Sequence, residues 1–253
     1  VLTFKTAPDY ETKSSYSAEA IASDGTNASA QTISISVTNV NEFTPTFTSA
    51  SSFTVAENQT TGPTIAASDG DGDTITYSIS GGTDASSFEI NSSSGAITFK
   101  SAPDYETKSS YQLSVRASDG TNIAAQDITV NIGNLNEHAP SLSLSNPYSV
   151  NEGSTTVTTV TATDADGDET ITFSIFDTGN SCTDQDLFSI GESTGVLTFK
   201  TAPDYENPAD SDTDNEYKVC IKASDNGGAA GTYFEETSRG GAATVTVNVQ
   251  NLN

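Results

Sequence analysis

An all-β array of tandem sandwich domains is the fold class that this sequence predicts, and three observations predict it. The first is internal repetition. Residues 2–16 read LTFKTAPDYETKSSY, residues 97–111 read ITFKSAPDYETKSSY, and residues 197–206 read LTFKTAPDYE. A repeat period of about one hundred residues means one small domain per repeat, not one turn of a solenoid. The second is a period-two alternation of apolar and polar residues between the repeated motifs. The third is composition: 19 Gly, abundant Ser, Thr, Val and Ile, and no Met or Trp favour short strands joined by turns.

Taken in order, each apolar alternation marks a half-buried strand. Ile33, Ile35 and Val37 form the first, and Ile75, Tyr77 and Ile79 the next. Leu113, Val115 and Ala117 precede Ile128, Val130 and Ile132. The third repeat offers Ile171, Phe173 and Ile175, then Val219 and Ile221, then Val245, Val247 and Val249. Several short strands per hundred or so residues argue a Greek-key β-sandwich. Linkers set the boundaries. Residues 1–42 are the back part of one repeat, 43–136 a full repeat, and 137–253 a repeat carrying an acidic insertion at 207–215. Val1 aligns with Ala96 and Val196, so the front strands of the first repeat are expected upstream. The unfinished linker Asn251-Leu252-Asn253 is expected to continue downstream.

Charge narrows the function classes. Nine basic residues against 34 acidic ones give a net charge of −25. Nucleic acid is excluded as a partner, because phosphate binding needs a positive face. No apolar run is long enough to span a bilayer, so direct membrane insertion is not expected. Acids outnumbering bases so heavily call for cations.

The acids recur in step. An early Glu stands at Glu57 and Glu152. Asp-rich clusters stand at Asp69-Gly70-Asp71-Gly72-Asp73 and Asp164-Ala165-Asp166-Gly167-Asp168. The Pro-Asp-Tyr-Glu segment gives Asp9 with Glu11, Asp104 with Glu106, and Asp204 with Glu206. Ala-Ser-Asp ends at Asp24, Asp119 and Asp225, and the linker supplies Asn41 with Glu42 and Asn136 with Glu137. Grouped hard oxygens suit Ca²⁺, which takes six to eight of them. One His and two Cys argue against softer metals.

These motifs, in this order, resemble the cadherin repeat, and in style the cadherin-like repeats of bacterial, RTX-type surface adhesins. The early Glu, the Asp-x-Glu segment with Tyr in place of the family's Arg, the Asp-x-Asp segment, Ala-x-Asp, and the linker through Pro45 and Pro140 all have counterparts. The resemblance implies immunoglobulin-like sandwiches in a linear array, with Ca²⁺ between repeats. It assigns Asp9, Glu11, Asn41, Glu42, Asp69, Asp71 and Asp119 to a first junction. It assigns Glu57, Asp104, Glu106, Asn136, Glu137, Asp164, Asp166 and Asp225 to a second. Glu152, Asp204 and Glu206 would serve a third. Asn39 and Asn134 replace the family's first linker Asp, which removes charge there.

Plainer readings stand beside these. Asp-Gly-Asp-Gly-Asp is also a turn composition. It opens like an EF-hand loop, but Thr74 or Glu169 replaces the sixth-position Gly, and Ser80 or Ile175 the twelfth-position Glu. Asp73 and Asp168 therefore read as turn or outer groups. His138 reads as an exposed linker spacer. Cys182 and Cys220 read as a surface disulfide, with two free thiols as the alternative. Cys220 lies between core residues Val219 and Ile221 and so faces the opposite side. The 207–215 insertion reads as a flexible acidic loop, with a site for an extra cation as the alternative, and the Thr-rich run 155–163 reads as ordinary β-sheet, with an ice-binding face as the alternative.

The leading function is structural: Ca²⁺-stiffened extracellular repeats that extend a cell-surface adhesin, with neighbouring repeats of the same chain as first partners. The alternative is a module that binds a cell-surface glycan or protein on a sandwich face. A hydrolase is not expected, because the paired acids recur periodically and do not gather in one active site.

Overall fold

A computed structural model of the chain describes residues 1–167, 170–176, 182–225 and 242–252. Asp168, Glu169 and Asn253, named above, lie outside the described residues. The chain divides into two units, Val1–Asn134 and Leu135–Asn253.

In the first unit, Ser15–Ser23 and Ala28–Ser36 pair antiparallel. Their alternating Ile33, Ile35 and Val37 are only half-buried. The repeat that follows is a sandwich. One sheet orders Ser52–Ala56, Ile123–Gly133, Ser110–Ser118 and Thr76–Gly81; the first two are parallel and the other pairs antiparallel. The facing sheet orders Thr61–Thr64, Ala96–Phe99 and Phe88–Ile90. Alternation places Leu113, Val115 and Ala117 opposite Ile65, Phe88, Ile97 and Phe99 in one core. Phe88, Phe99 and Tyr111 meet in edge-on and tilted contacts at 4.5–5.7 Å, geometry that adds to simple burial.

The second unit repeats the plan. Tyr148–Asn151, Ala242–Gln250, Glu216–Ser224 and Thr172–Ile175 form one sheet. Thr156–Thr159, Val196–Phe199 and Phe188–Ile190 form the other. The Thr-rich run is two strands and not one: it breaks at buried Val160, and Thr161–Thr163 pairs with Ser141–Ser143. Gly95 and Gly195 occupy the same turn in the two repeats, with φ of 69° and 65°. A Cβ at either would press on the carbonyl of Ile65 or Val160, so that turn takes only Gly.

Cys182 and Cys220 are bridged, with Cα atoms 5.4 Å apart. The expected surface position is corrected. Cys220 does face away from the apolar core, but both cysteines are at most 4% exposed, and both sulfurs lie 3.7 Å from the Thr244 hydroxyl.

Candidate metal centre

The first unit brings together most of the first predicted group. The linker after Ala28–Ser36 runs past the Asp cluster, and Asp71 ties the two. Its Oδ2 accepts the backbone N–H groups of Glu42 (2.9 Å) and Phe43 (2.8 Å), and its carbonyl accepts from the Asn39 side chain at 3.2 Å. Asp69 Oδ1 accepts the Asp71 N–H at 2.9 Å. These bonds leave Asp69 Oδ2 and Asp71 Oδ1 buried with no hydrogen-bond donor. One carboxylate oxygen each from Glu11, Glu42 and Asp71 lie within 4.8 Å of one another, as do those of Asp69, Asp71 and Asp73. Asp71 belongs to both groups. Asp73, read from the sequence as a turn residue, thus stands among the converging acids.

Gly70 allows the linker to lie close. A Cβ on it would fall 2.5 Å from the Phe43 ring, nearer than side-chain carbons approach. Asp9 engages both oxygens in its own turn: Oδ1 takes the Glu11 and Thr12 N–H groups, and Oδ2 the Thr12 hydroxyl. Those Thr12 bonds hold the Asp9 pKa below its ordinary value. Loss of water contact, followed by the neighbouring charges of Asp9 and Asp71, pushes the Glu11 pKa up.

Asp119 is linked to the linker through a residue that the sequence reading missed. The Asn122 side chain donates to Asn41 Oδ1 (2.6 Å), to the Phe43 carbonyl (2.8 Å) and to Asp119 Oδ2 (3.3 Å). A signal was available: Asp-Gly-Thr-Asn occurs at both 24–27 and 119–122.

The remaining predicted residues fall into three further groups. In the first unit, Glu57, Asp104 and Glu106 converge within 4.8 Å. Glu57 is only 2% exposed and its Oε2 accepts the Tyr105 N–H at 2.7 Å. In the second unit, Glu152, Asp204 and Glu206 converge in the same way. Glu152 accepts the N–H groups of Leu252 (2.8 Å) and Tyr205 (3.2 Å), which lower its pKa. The third group is also in the second unit. Asp164 Oδ1 accepts the Asp166 N–H at 2.9 Å, and Asp164 Oδ2 is buried without a donor. Asn136 and Asp225 are half-buried, and Glu137 is exposed.

His138 is no free spacer. Its N–H donates to Asp166 Oδ2 at 3.0 Å, and its ring Nδ1 lies 2.7 Å from Asp166 Oδ1. Burial works against the Asp166 charge, but the bonds from His138 outweigh it and lower the Asp166 pKa. Where Asp71 keeps a buried oxygen open, Asp166 has a partner.

Buried carboxylate oxygens without donors, set among other carboxylates, are unfavourable unless a cation joins them. The donor set is all oxygen: acids, Asn amides and backbone carbonyls. It fits Ca²⁺. Asp69, Asp71, Glu11 and Glu42 would hold such an ion, which would supply positive charge to the buried oxygens.

Comparison with known proteins identifies the family. The cadherin domain model matches residues 51–133 and 146–250. Human Protocadherin Fat 4 is 34% identical over 213 residues, covering 78% of this chain and 4% of that protein. Human Cadherin EGF LAG seven-pass G-type receptor 2 is 34% identical over 208 residues, covering 77% of this chain and 7% of that protein. The chain therefore spans a small part of the length of these relatives. Among solved structures, Protocadherin Gamma B2 extracellular cadherin domains 3-6 superpose with a TM-score of 0.72 at 25% identity, covering 97% of this chain and 60% of that one. These mammalian matches lend no support to the bacterial, RTX-type setting. The sandwich repeats, the recurring acids and the family match together place the chain in the cadherin domain family.

Proposed function

We propose that this chain is a stretch of calcium-binding extracellular repeats that stiffens and extends a cell-surface adhesion protein. The observation that carries the reading is the pair of buried, donorless oxygens on Asp69 and Asp71, with Glu11 and Glu42 beside Asp71. Asp71 also holds the linker backbone, so an ion bound there orders the segment between residues 1–42 and the following sandwich. By the sequence pattern, the second group (Glu57, Asp104, Glu106, Asn136, Glu137, Asp164, Asp166 and Asp225) takes ions in the same way, and Glu152, Asp204 and Glu206 do so beyond it. Adhesion comes to this chain from its family membership and from relatives named as cadherins. The role is mechanical and requires no catalysis. Calorimetry with Ca²⁺ and with a chelator tests it. Ca²⁺ is expected to raise the unfolding midpoint of the first unit, and an unchanged midpoint refutes the reading.

A further inference from the structure

The second unit carries another group of acids, in the 207–215 insertion, outside the repeated motifs assigned above. The segment Asp210-Ser211-Asp212-Thr213-Asp214-Asn215-Glu216 holds four acids in seven residues. The expected flexible loop is in fact anchored. Ser211 donates its N–H to buried Asp184 at 2.9 Å, and the Asn215 side-chain amide donates to the Tyr205 carbonyl at 3.1 Å. Asp210 is only 5% exposed. Its Oδ2 accepts the N–H groups of Asp214 (2.8 Å) and Asn215 (3.1 Å), which fixes the carboxylate inside the loop. Its Oδ1 is buried with no donor, and so is Asn215 Oδ1.

The first unit solves the same place differently. There Lys108 bonds Asp84, whose Oδ2 also accepts the Gln112 N–H at 2.8 Å. Asp184, which like Asp84 precedes a short 3₁₀ turn, receives backbone N–H groups of Ser211 and Lys218 in place of an ammonium. The insertion thus removes a Lys and adds acids. The nearby ammonium of Lys218 lies 2.9 Å from Glu216.

We infer that Asp210, Asp212 and Asn215 hold one hard divalent cation in this insertion, separate from the acids of the repeat motifs. An unpaired buried carboxylate oxygen is strongly unfavourable, and a cation is the partner that an all-oxygen loop of this charge accepts.

The test uses the whole chain and Ca²⁺ as the probe. Amide resonances of Asp214 and Asn215 are followed by NMR through a Ca²⁺ titration, and bound Ca²⁺ is counted by equilibrium dialysis. The wild type is expected to show saturating shifts at both amides. Asp212→Asn, at an exposed position, is expected to bind one ion fewer and to need at least tenfold more Ca²⁺ for those shifts. Asp71→Asn and Glu206→Gln, which strike the motif acids of the first and the second unit, are each expected to leave them unchanged, so failure here is separate from failure of the proposed function. Asp210→Asn is expected to raise the chelated midpoint of the second unit and lower the Ca²⁺-loaded one. Unmoved amides up to millimolar Ca²⁺, or equal ion counts, overturn the inference. Equal stabilisation by Asp210→Asn with and without Ca²⁺ also overturns it, since a protonated Asp210 then explains the loop.

Discussion

Asp71→Asn separates the two tasks that Asp71 performs. Its Oδ2 accepts two linker N–H groups, at 2.9 and 2.8 Å, while its Oδ1 stands buried without a donor among other acids. Asn keeps one carbonyl oxygen for the linker and removes the charge. Without Ca²⁺, the midpoint of the first unit should therefore stay the same or rise, because like charges at short range repel. Asp71→Ala loses both linker bonds and, at about 1–1.5 kcal/mol each, should destabilise the chelated protein by about 2–3 kcal/mol. With Ca²⁺ the order changes. An ion a hundredfold above its Kd contributes about 2.7 kcal/mol. For a domain of this size that is roughly 10–20 °C in midpoint, and both variants should lose most of it. Calorimetry of three proteins in two conditions gives the answer. A lower chelated midpoint for Asp71→Asn, or a full Ca²⁺ increment in either variant, would refute the reasoning.

Two further outcomes follow from the geometry. Lys108 holds the Asp84 pKa below its ordinary value of 3.8. A lowered carboxylate pKa stabilises the fold above the unfolded pKa and loses that contribution as pH falls through the folded one. Acid melts of the first unit should therefore steepen below about pH 4, and Lys108→Met should flatten that loss; identical profiles would contradict it. The bridge between Cys182 and Cys220 closes a separation of 38 residues, which the chain-entropy relation puts at about 4 kcal/mol. Replacing both cysteines by Ser should lower the midpoint of the second unit by roughly 15–30 °C and leave the first unit unchanged; two free thiols in unreduced, unfolded protein would rule the bridge out.

Much of the fold was legible because a sandwich strand has period two, and that alternation survives in Leu113 to Ala117 and Val245 to Val249. Repetition did the rest, since each motif recurs with its neighbours in order. The site was legible as residue types but not as roles. Sequence gave no way to see that Asp9 turns its oxygens to its own backbone while Asp71 reaches the linker. Asn122 was missed because two of its side-chain bonds reach across about eighty residues, a distance that no local pattern reports. Cys220 was placed on the right face but assigned the wrong exposure, because alternation shows direction and not what covers a face. The insertion looked flexible because its composition is acidic and its anchors, Asp184 and Tyr205, lie outside it.

The linker position after Glu42 and Glu137 changes between the two units together with the second residue of the Asp cluster, and this paired change supports a last prediction. In the first unit the pair is Phe43 with Gly70, the ring lying where a Cβ would be. In the second unit it is His138 with Ala165, and the His138 ring bonds Asp166. A Phe at that position packs only if the methyl is absent; a His tolerates the methyl because its ring is held at the carboxylate. His138→Phe alone should therefore clash with Ala165 and destabilise the second unit. Adding Ala165→Gly should restore stability, with a coupling of about 1–2 kcal/mol in the double-mutant cycle. The double variant should also respond more strongly to Ca²⁺, because Asp166 Oδ1 no longer has the imidazole as a competing partner. Thermal melts of the four proteins, each with Ca²⁺ and with chelator, decide it. Additive effects of the two substitutions would show that the ring does not use the space that Gly70 leaves, and an unchanged Ca²⁺ response would show that His138 does not compete for the carboxylate.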